Sequence, residues 1–236
     1  MMPQKNDLIL SIETSGDCCS AALSAGGETF DSRFIDTPRM QSSHLAPMIE
    51  ELIAANQLTI KDCAAVAVSS GPGSYTGLRV GVSMAKGLCF GAKIPLVAVG
   101  TLDLIARQAL EAVEHNVPDY VVPMIDARRM EVYQTVFDGS LKNSVKAVEP
   151  LILDENSYCD ILDKGTVLFC GDGCAKFSKI ISHPNAKFYP CNPNARYMGA
   201  LAHQRFTAGK FEDTAYMEPF YLKDFAIGVS KKKILG

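Results

Sequence analysis

One order of elements is written twice along this chain, and that repetition restricts the fold more than any single motif does. Leu8–Glu13 reads as a strand, Gly16–Asp17 as a turn and Ser20–Ser24 as a second strand. Gly26–Gly27 make another turn and Glu28–Ile35 a third strand, so the chain opens on a meander of short antiparallel strands. A helix follows, because Leu45, Met48, Ile49, Leu52 and Ile53 recur at the spacing of one helical face. Ser42 or Ser43 is expected to cap it, and Pro47 falls early enough to be tolerated, where backbone N–H groups have no helical partner. Ala64–Ser69 reads as a buried strand, a glycine loop leads into a second helix ending near Gly91, and Ile94–Val99 is a strand. Thr101 is expected to cap a third helix, Leu102–Val113. The order then restarts. Strands are predicted at Tyr120–Ile125, Glu131–Phe137 and Val145–Ile152, a helix at Glu155–Leu162 and a strand at Val167–Cys170. A helix at Cys174–Ile181, a short strand at Lys187–Tyr189 and a helix at Ala195–Thr207 complete it.

Both halves read β-β-β-α-β-α-β-α. Strands alternating with helices imply an α/β fold whose sheets are mainly parallel behind an antiparallel hairpin. Two such mixed sheets in tandem make the actin-like, sugar-kinase-like architecture, in which a nucleotide lies in the cleft with its phosphates against the turn of each opening hairpin. The expected subdomains are 1–117 and 118–236, with the last helix packing on the second half or returning to the first.

The 236 residues include 47% hydrophobic and 21% charged ones, a globular composition. The net charge of -3 argues against a chain that coats itself on nucleic acid alone. The basic run Lys231–Lys232–Lys233 reads as a solvated tail. No apolar stretch has the length of a signal peptide or a membrane span, so a cytoplasmic protein is expected. The eight cysteines contain no Cys-x-x-Cys pair, which fits free thiols better than a disulfide framework or a zinc site. Cys170 and Cys174 come nearest to a metal pair and have no matching second pair.

The segment "AVSSGPGSYTGLRVG" from Ala67 has the look of a phosphate loop and fails both standard tests. Gly77 is followed by Leu78 and Arg79, not by the Lys-Ser/Thr of a P-loop. Gly71, Gly73 and Gly77 are spaced one residue too wide for a dinucleotide fingerprint, and no acidic residue follows the next strand. The helix beyond is more informative. It contains Gly77, Gly81, Gly87 and Gly91, and each interior glycine costs about 1 kcal/mol against alanine. Close approach of a second backbone is the usual reason for such a run. That helix is either wholly internal or internal on one side and covered by another protein on the other. A tight turn at Gly71, Gly73, Gly77 and Gly81 is expected, with backbone N–H groups facing a cleft between partners.

"ILSIETSGDCCSAAL", "SSGPGSYTGLRVGVSMAKGL", "IPLVAVGTLD", "IDARRMEVY" and "EPFYLKD" resemble, in order and along the whole chain, the bacterial TsaB (YeaZ) family of the ASKHA superfamily. The resemblance implies a part in making threonylcarbamoyladenosine on tRNAs that read codons beginning with A. It implies a non-catalytic scaffold that holds a catalytic relative, TsaD, in working form, with the P-loop ATPase TsaE joining them. It further implies no cofactor of its own, ATP or ADP at the complex interface, tRNA reached only through the complex, and a homodimer in isolation. A first-strand Asp-Thr-Ser is usual in that family; here Glu13-Thr14-Ser15 stands instead, as in the sister family.

The residues bear on the scaffold reading. The sister family's metal is held by two histidines four apart on the first helix. Here His44 has Met40 and Met48 as its neighbours at that spacing, while His115, His183 and His203 lie elsewhere. His44 is expected at a first-turn surface or interface. Glu13, Thr14, Ser15, Asp126 and Arg128 mark a vestigial nucleotide cleft, since Arg128 and Arg129 stand where a glycine-rich phosphate turn would be. For Asp126, Arg128 and Glu131 a structural turn network is the preferred reading over nucleotide contact. The expected partner and dimer surface is a helix pair: Leu45, Met48, Ile49 and Leu52 on the first, Val80, Met84, Gly87 and Leu88 on the second. An active ASKHA ATPase or kinase is the alternative, and a metallopeptidase a third, disfavoured by the missing histidine pair.

Overall fold

A computed structural model describes residues 7–37, 40–113 and 117–223. His115 and the Lys231–Lys233 run lie outside the described residues. Among the described residues, ten strands form two five-stranded sheets. The first holds β1 (Leu8–Glu13), β2 (Cys19–Ala25), β3 (Glu28–Ile35), β4 (Ala65–Gly71) and β5 (Leu96–Gly100), in the order β3-β2-β1-β4-β5. The second holds β6 (Tyr120–Asp126), β7 (Glu131–Asp138), β8 (Ser144–Ile152), β9 (Val167–Cys170) and β10 (Ala186–Tyr189), in the order β10-β9-β6-β7-β8. Traced from the third strand of each half, the two orders are the same. β1 runs antiparallel to β2 and parallel to β4, as β6 does to β7 and β9. This is the duplicated ASKHA fold that the element order predicts.

The helices are α1 (Gln41–Ala55), α2 (Tyr75–Ala92), α3 (Thr101–Val113), α4 (Cys159–Leu162), α5 (Cys174–Phe177) and α6 (Gly199–Thr207). Strand alternation sorts the first sheet's side chains. Leu8, Leu10 and Ile12 join α1 and α2 in one core, while Ile9, Ala67 and Val99 join Leu104, Met198 and Ala202 in another. Strands buried on both faces need apolar residues at every position, which is why "LILSI" and "AVAV" show no polar alternation. α3 lies between the sheets: Leu104 meets the first, and Leu102, Ile105, Ala106 and Ala109 meet Val121, Ile125 and Leu168 of the second. α6 packs on the first sheet beside Leu104. A third core, around Phe169, Phe177 and Tyr158, fills the outer face of the second sheet.

Five details differ from expectation. Ser42 and Ser43 lie inside α1, whose start at Met40 has no side-chain cap. The side-chain amide of Gln41 instead donates to the carbonyls of Gly16 and Asp17, both at 3.0 Å. Thr101 begins α3 instead of capping it, and its hydroxyl is buried without a hydrogen-bond partner among the described residues. The helix expected at Glu155–Leu162 is cut to its last turn, because the Asp154 carboxylate takes the Asn156 N–H and the Ser157 hydroxyl in a local turn. The expected Cys174–Ile181 helix stops at Phe177, where bonding tightens to three-residue steps such as Ile180 N–H to Phe177 O. The last helix is divided into a 3-10 turn, Ala195–Tyr197, and α6.

Candidate functional site

The glycine segment is a junction between β4 and α2, and what it receives is the chain itself. Ser74 caps α2, its hydroxyl accepting from the Gly77 N–H at 3.2 Å. The Ser74 N–H donates to the Ser15 carbonyl at 2.7 Å, and the Thr14 hydroxyl donates to the Gly77 carbonyl at 2.7 Å. The turn after β1 therefore lies directly on the first turns of α2. Glycine is required for that approach. A Cβ at Gly73 would stand 2.5 Å from the Ser15 carbonyl oxygen, and one at Gly77 or Gly81 would overlap the Thr14 carbonyl or hydroxyl oxygen. The loop's N–H groups at Ser74 and Gly77 are thus satisfied inside the monomer, which corrects the expectation that they face a cleft between partners. Gly87 and Gly91 differ: nothing lies within 4 Å of a Cβ built on either.

Glu13 completes the arrangement. It is fully buried, and its Oε1 accepts both the N–H and the hydroxyl of Ser15 at 2.5 Å, while Ser69 donates to Oε2. The Gly16 N–H also bonds the carboxyl. Burial pushes this carboxyl above the usual glutamate range, and the Ser15 and Ser69 bonds oppose that shift without cancelling it. The first-hairpin N–H groups that would cradle a phosphate are spent on a side chain from the preceding strand.

The second hairpin turn is closed in the same manner. The Lys176 ammonium donates to Asp126 Oδ1 at 2.9 Å, to the Arg129 carbonyl at 2.9 Å and to the Glu131 carbonyl at 2.6 Å. The Arg128 N–H donates to Asp126 Oδ1 at 2.6 Å, and Arg128 and Arg129 take φ of 71° and 51°. Asp126 and Arg128 are exposed, whereas Glu13, Thr14 and Ser15 are buried. The groups of both turns thus bond within the chain: the Ser15 N–H and hydroxyl to Glu13, and the Lys176 ammonium to Asp126 and two main-chain carbonyls. Lys176 was missed by sequence reasoning; its only signal was one charge inside the apolar "CAKF" of α5. His44 is half-buried, its Nδ1 at 2.8 Å from the Ser43 hydroxyl. Among the described residues, no three His, Cys, Asp or Glu side chains gather in a way that could hold a metal ion.

The α1 and α2 surfaces form the other notable feature. Leu45, Met48, Ile49 and Leu52 are at most 4% exposed and belong to the first core. Val80, Met84 and Leu88 are half-buried at its edge, and Gly87 is exposed. The side chains of α1 with the strongest helical periodicity are therefore the monomer's own core, because that face of the helix meets the sheet. What remains open is an apolar groove of about 420 Å³ between the helices, lined by Ala46, Ile49, Ile53, Leu58, Met84 and Leu88. It runs on past Ile60 and Leu88 into a second hollow of about 460 Å³ beside Gly87 and Gly91. Phe90 stands 82% exposed on the same helix.

Comparison with known proteins bears on both features. Residues 36–229 match the family model of TsaD, tRNA N6-adenosine threonylcarbamoyltransferase. The tRNA threonylcarbamoyladenosine biosynthesis protein TsaB of Escherichia coli (strain K12) is 30% identical over 239 residues, covering 97% of this chain and 98% of that protein. The protein of the same description from Haemophilus influenzae is 29% identical, over 98% and 99%. The solved structure of YeaZ from Pseudomonas aeruginosa superposes with a TM-score of 0.77 at 25% identity, over 92% of this chain and all of that one. The family-model match over most of the chain, the 30% identity with near-complete mutual coverage and the shared fold lead to one assignment: the chain belongs to the TsaB (YeaZ) family of tRNA threonylcarbamoyladenosine biosynthesis proteins, within the wider group that the TsaD model describes.

Proposed function

We propose that this chain is the non-catalytic scaffold subunit of the assembly that installs threonylcarbamoyladenosine on tRNA, and that it binds and activates a TsaD-type catalytic subunit. The observation that carries this reading is the state of the two hairpin turns. Glu13 takes the donors of the first and Lys176 fills the second, so the places where an ASKHA enzyme would hold phosphates are occupied by the chain's own groups. Activity then has to come from a partner, and the α1/α2 groove is the surface offered to it. The groove is apolar, lined by Ile49, Ile53, Leu58, Met84 and Leu88. Burying a side chain of the size of Met84 or Leu88 is worth roughly 1.5–3 kcal/mol. A homologous partner would present an equivalent helix pair, giving a pseudo-symmetric contact with TsaD and an isologous one in a homodimer.

In this reading TsaE joins the pair, ATP or ADP binds between partners and not in this chain's own turns, and tRNA is held by the assembled complex. The site of action is the cytoplasm. No helix of the described residues is long and apolar enough to cross a membrane.

Met84→Glu tests the docking face. The variant is expected to keep its fold, since Met84 lies at the core's edge, and to lose capture of a TsaD-type partner and any self-association measured by light scattering. Normal assembly by Met84→Glu would place the interface elsewhere. The alternative, an ASKHA ATPase or kinase, predicts ATP turnover by the purified chain of about 1 per second or faster; the scaffold reading predicts negligible turnover.

A further inference from the structure

Residues 208–223 run as an irregular strap over the first half and end on the second. The Glu212 N–H donates to the Leu96 carbonyl at 2.9 Å, at the start of β5. The Lys86 ammonium of α2 holds the carbonyls of Ala215 and Met217 at 3.1 and 3.2 Å, and the Met217 side chain is buried in the first core. The Phe220 N–H donates to the Ser70 carbonyl at 2.7 Å, and the Phe220 carbonyl lies so near Gly71 that a Cβ there would be 2.5 Å from it. Tyr221 packs against Tyr75 with ring centroids 4.9 Å apart and planes inclined at 39°, and its hydroxyl accepts from Arg79 Nε at 3.1 Å. Lys223 then pairs with Glu131 at the base of the second hairpin, at 2.6 Å.

The anchors share a geometry. On α2 the strap's partners are Tyr75, Arg79 and Lys86, with Val82 and Ser83 lining the hollow beneath it. Met84 and Leu88, which line the groove toward α1, occupy a different flank. The docking helix is therefore gripped from two sides, by α1 on the groove side and by the strap on the other. The strap's last anchor lies on the second half, at the residue whose carbonyl Lys176 also holds. The strap thus links the second hairpin, at the Lys223–Glu131 pair, to α2, at Lys86 and the core around Met217.

We propose that residues 208–223 are a clasp through which the second half of the molecule sets the position of α2, and with it the affinity of the docking face for its catalytic partner. The proposal rests on the docking role given above. Its test uses the full chain and the cognate TsaD-type subunit, with partner affinity from calorimetry and α2 amide exchange from mass spectrometry. Met217→Glu unseats the clasp and is expected to speed α2 exchange and weaken binding by about tenfold or more. Lys223→Glu cuts only the link to the second half and is expected to weaken binding by about two- to fivefold, the range of a partly exposed ion pair. The reversed pair, Lys223→Glu with Glu131→Lys, should restore parental values of both. Unchanged affinity and exchange in Lys223→Glu, or no restoration in the reversed pair, overturns the clasp while leaving the docking face intact. If the parent chain does not bind the subunit at all, the docking reading fails, and exchange in the same variants decides the clasp alone: faster α2 exchange in Lys223→Glu, restored in the reversed pair, supports it, and unchanged exchange refutes it.

Discussion

Gly77→Ala probes the contact on which the reading of the glycine segment depends. A Cβ at this position overlaps the Thr14 carbonyl oxygen and stands 3.2 Å from the Thr14 carbonyl carbon, both of them main chain at the end of a buried strand. No side-chain rotation relieves the overlap, so the hairpin turn must lift away from α2. Overpacking of this kind costs about 1–3 kcal/mol. The lift also strains or breaks the Thr14 hydroxyl to Gly77 carbonyl bond and the Ser74 N–H to Ser15 carbonyl bond, each worth about 1 kcal/mol net. Replacing a helical glycine returns about 1 kcal/mol, which leaves a net loss of about 2–4 kcal/mol. For a chain of this length that lowers the melting temperature by roughly 5–15 °C. Gly87→Ala is the matched control, since nothing lies within 4 Å of its Cβ; it is expected to stabilise the isolated chain by up to about 1 kcal/mol. Circular-dichroism melts and urea titrations of both variants give the comparison. If Gly77→Ala melts at or above the parent, the close approach of Thr14 is not what fixes glycine there.

Glu13→Gln should change the pH dependence of stability. The folded pKa of Glu13 is raised by burial, so its favourable contribution is complete below the ordinary carboxyl value near 4.5 and is lost as pH rises through the folded value. The stability of the glutamine variant relative to the parent is expected to climb between acid and neutral pH in urea titrations, and a difference independent of pH would refute the assignment. Lys176→Met removes the cation from the second turn, leaving carbonyls of Arg129 and Glu131 without that donor; a loss of about 1–3 kcal/mol is expected, with faster amide exchange confined to the second hairpin. Arg128→Gly relieves a side chain held at φ 71° and is expected to stabilise by about 0.5–1 kcal/mol in thermal melts.

Element order, both hairpins and the strand pairs they imply were legible because each strand is bounded by turn residues and each long helix has one apolar stripe. The bounds of Glu28–Ile35 and Val167–Cys170 agree to the residue. Short elements of the second half were overextended where Asp154 and the residues after Phe177 divert the backbone into local turns. The interface residues expected on α1 illustrate a different limit. Periodicity finds the buried stripe of a helix and does not say whether a sheet or a partner buries it, and for Leu45, Met48 and Leu52 the sheet does. The glycines were read for close packing, and a Cβ at Gly77 or Gly81 would meet Thr14, but that neighbour could not be foreseen. It is the turn at Thr14–Ser15, more than 60 residues earlier in the chain. Lys176 and the strap were invisible for the same reason: their partners are distant in sequence and include main-chain carbonyls, which have no sequence signature.

Closing the first hairpin turn and seating the start of α2 are consequences of the same contacts. A hairpin turn in this fold presents N–H groups that need an anion or another acceptor, since buried donors left unpaired cost free energy. Glu13 supplies that acceptor from the end of β1, and the Ser69 hydroxyl bonds its second oxygen from β4. With its donors satisfied internally, the turn no longer needs a ligand to order it. The ordered turn then lays Thr14 and Ser15 against Gly73, Gly77 and Gly81, and this seats the first turns of α2 on the sheet. Met84 and Leu88 lie further along the same rigid helix, so their position at the groove follows from where its start is seated. An empty, mobile phosphate turn would leave that start unsupported. Under the proposed scaffold role, α2 would be a docking helix whose placement needs no bound nucleotide, because its start is seated by contacts within the chain.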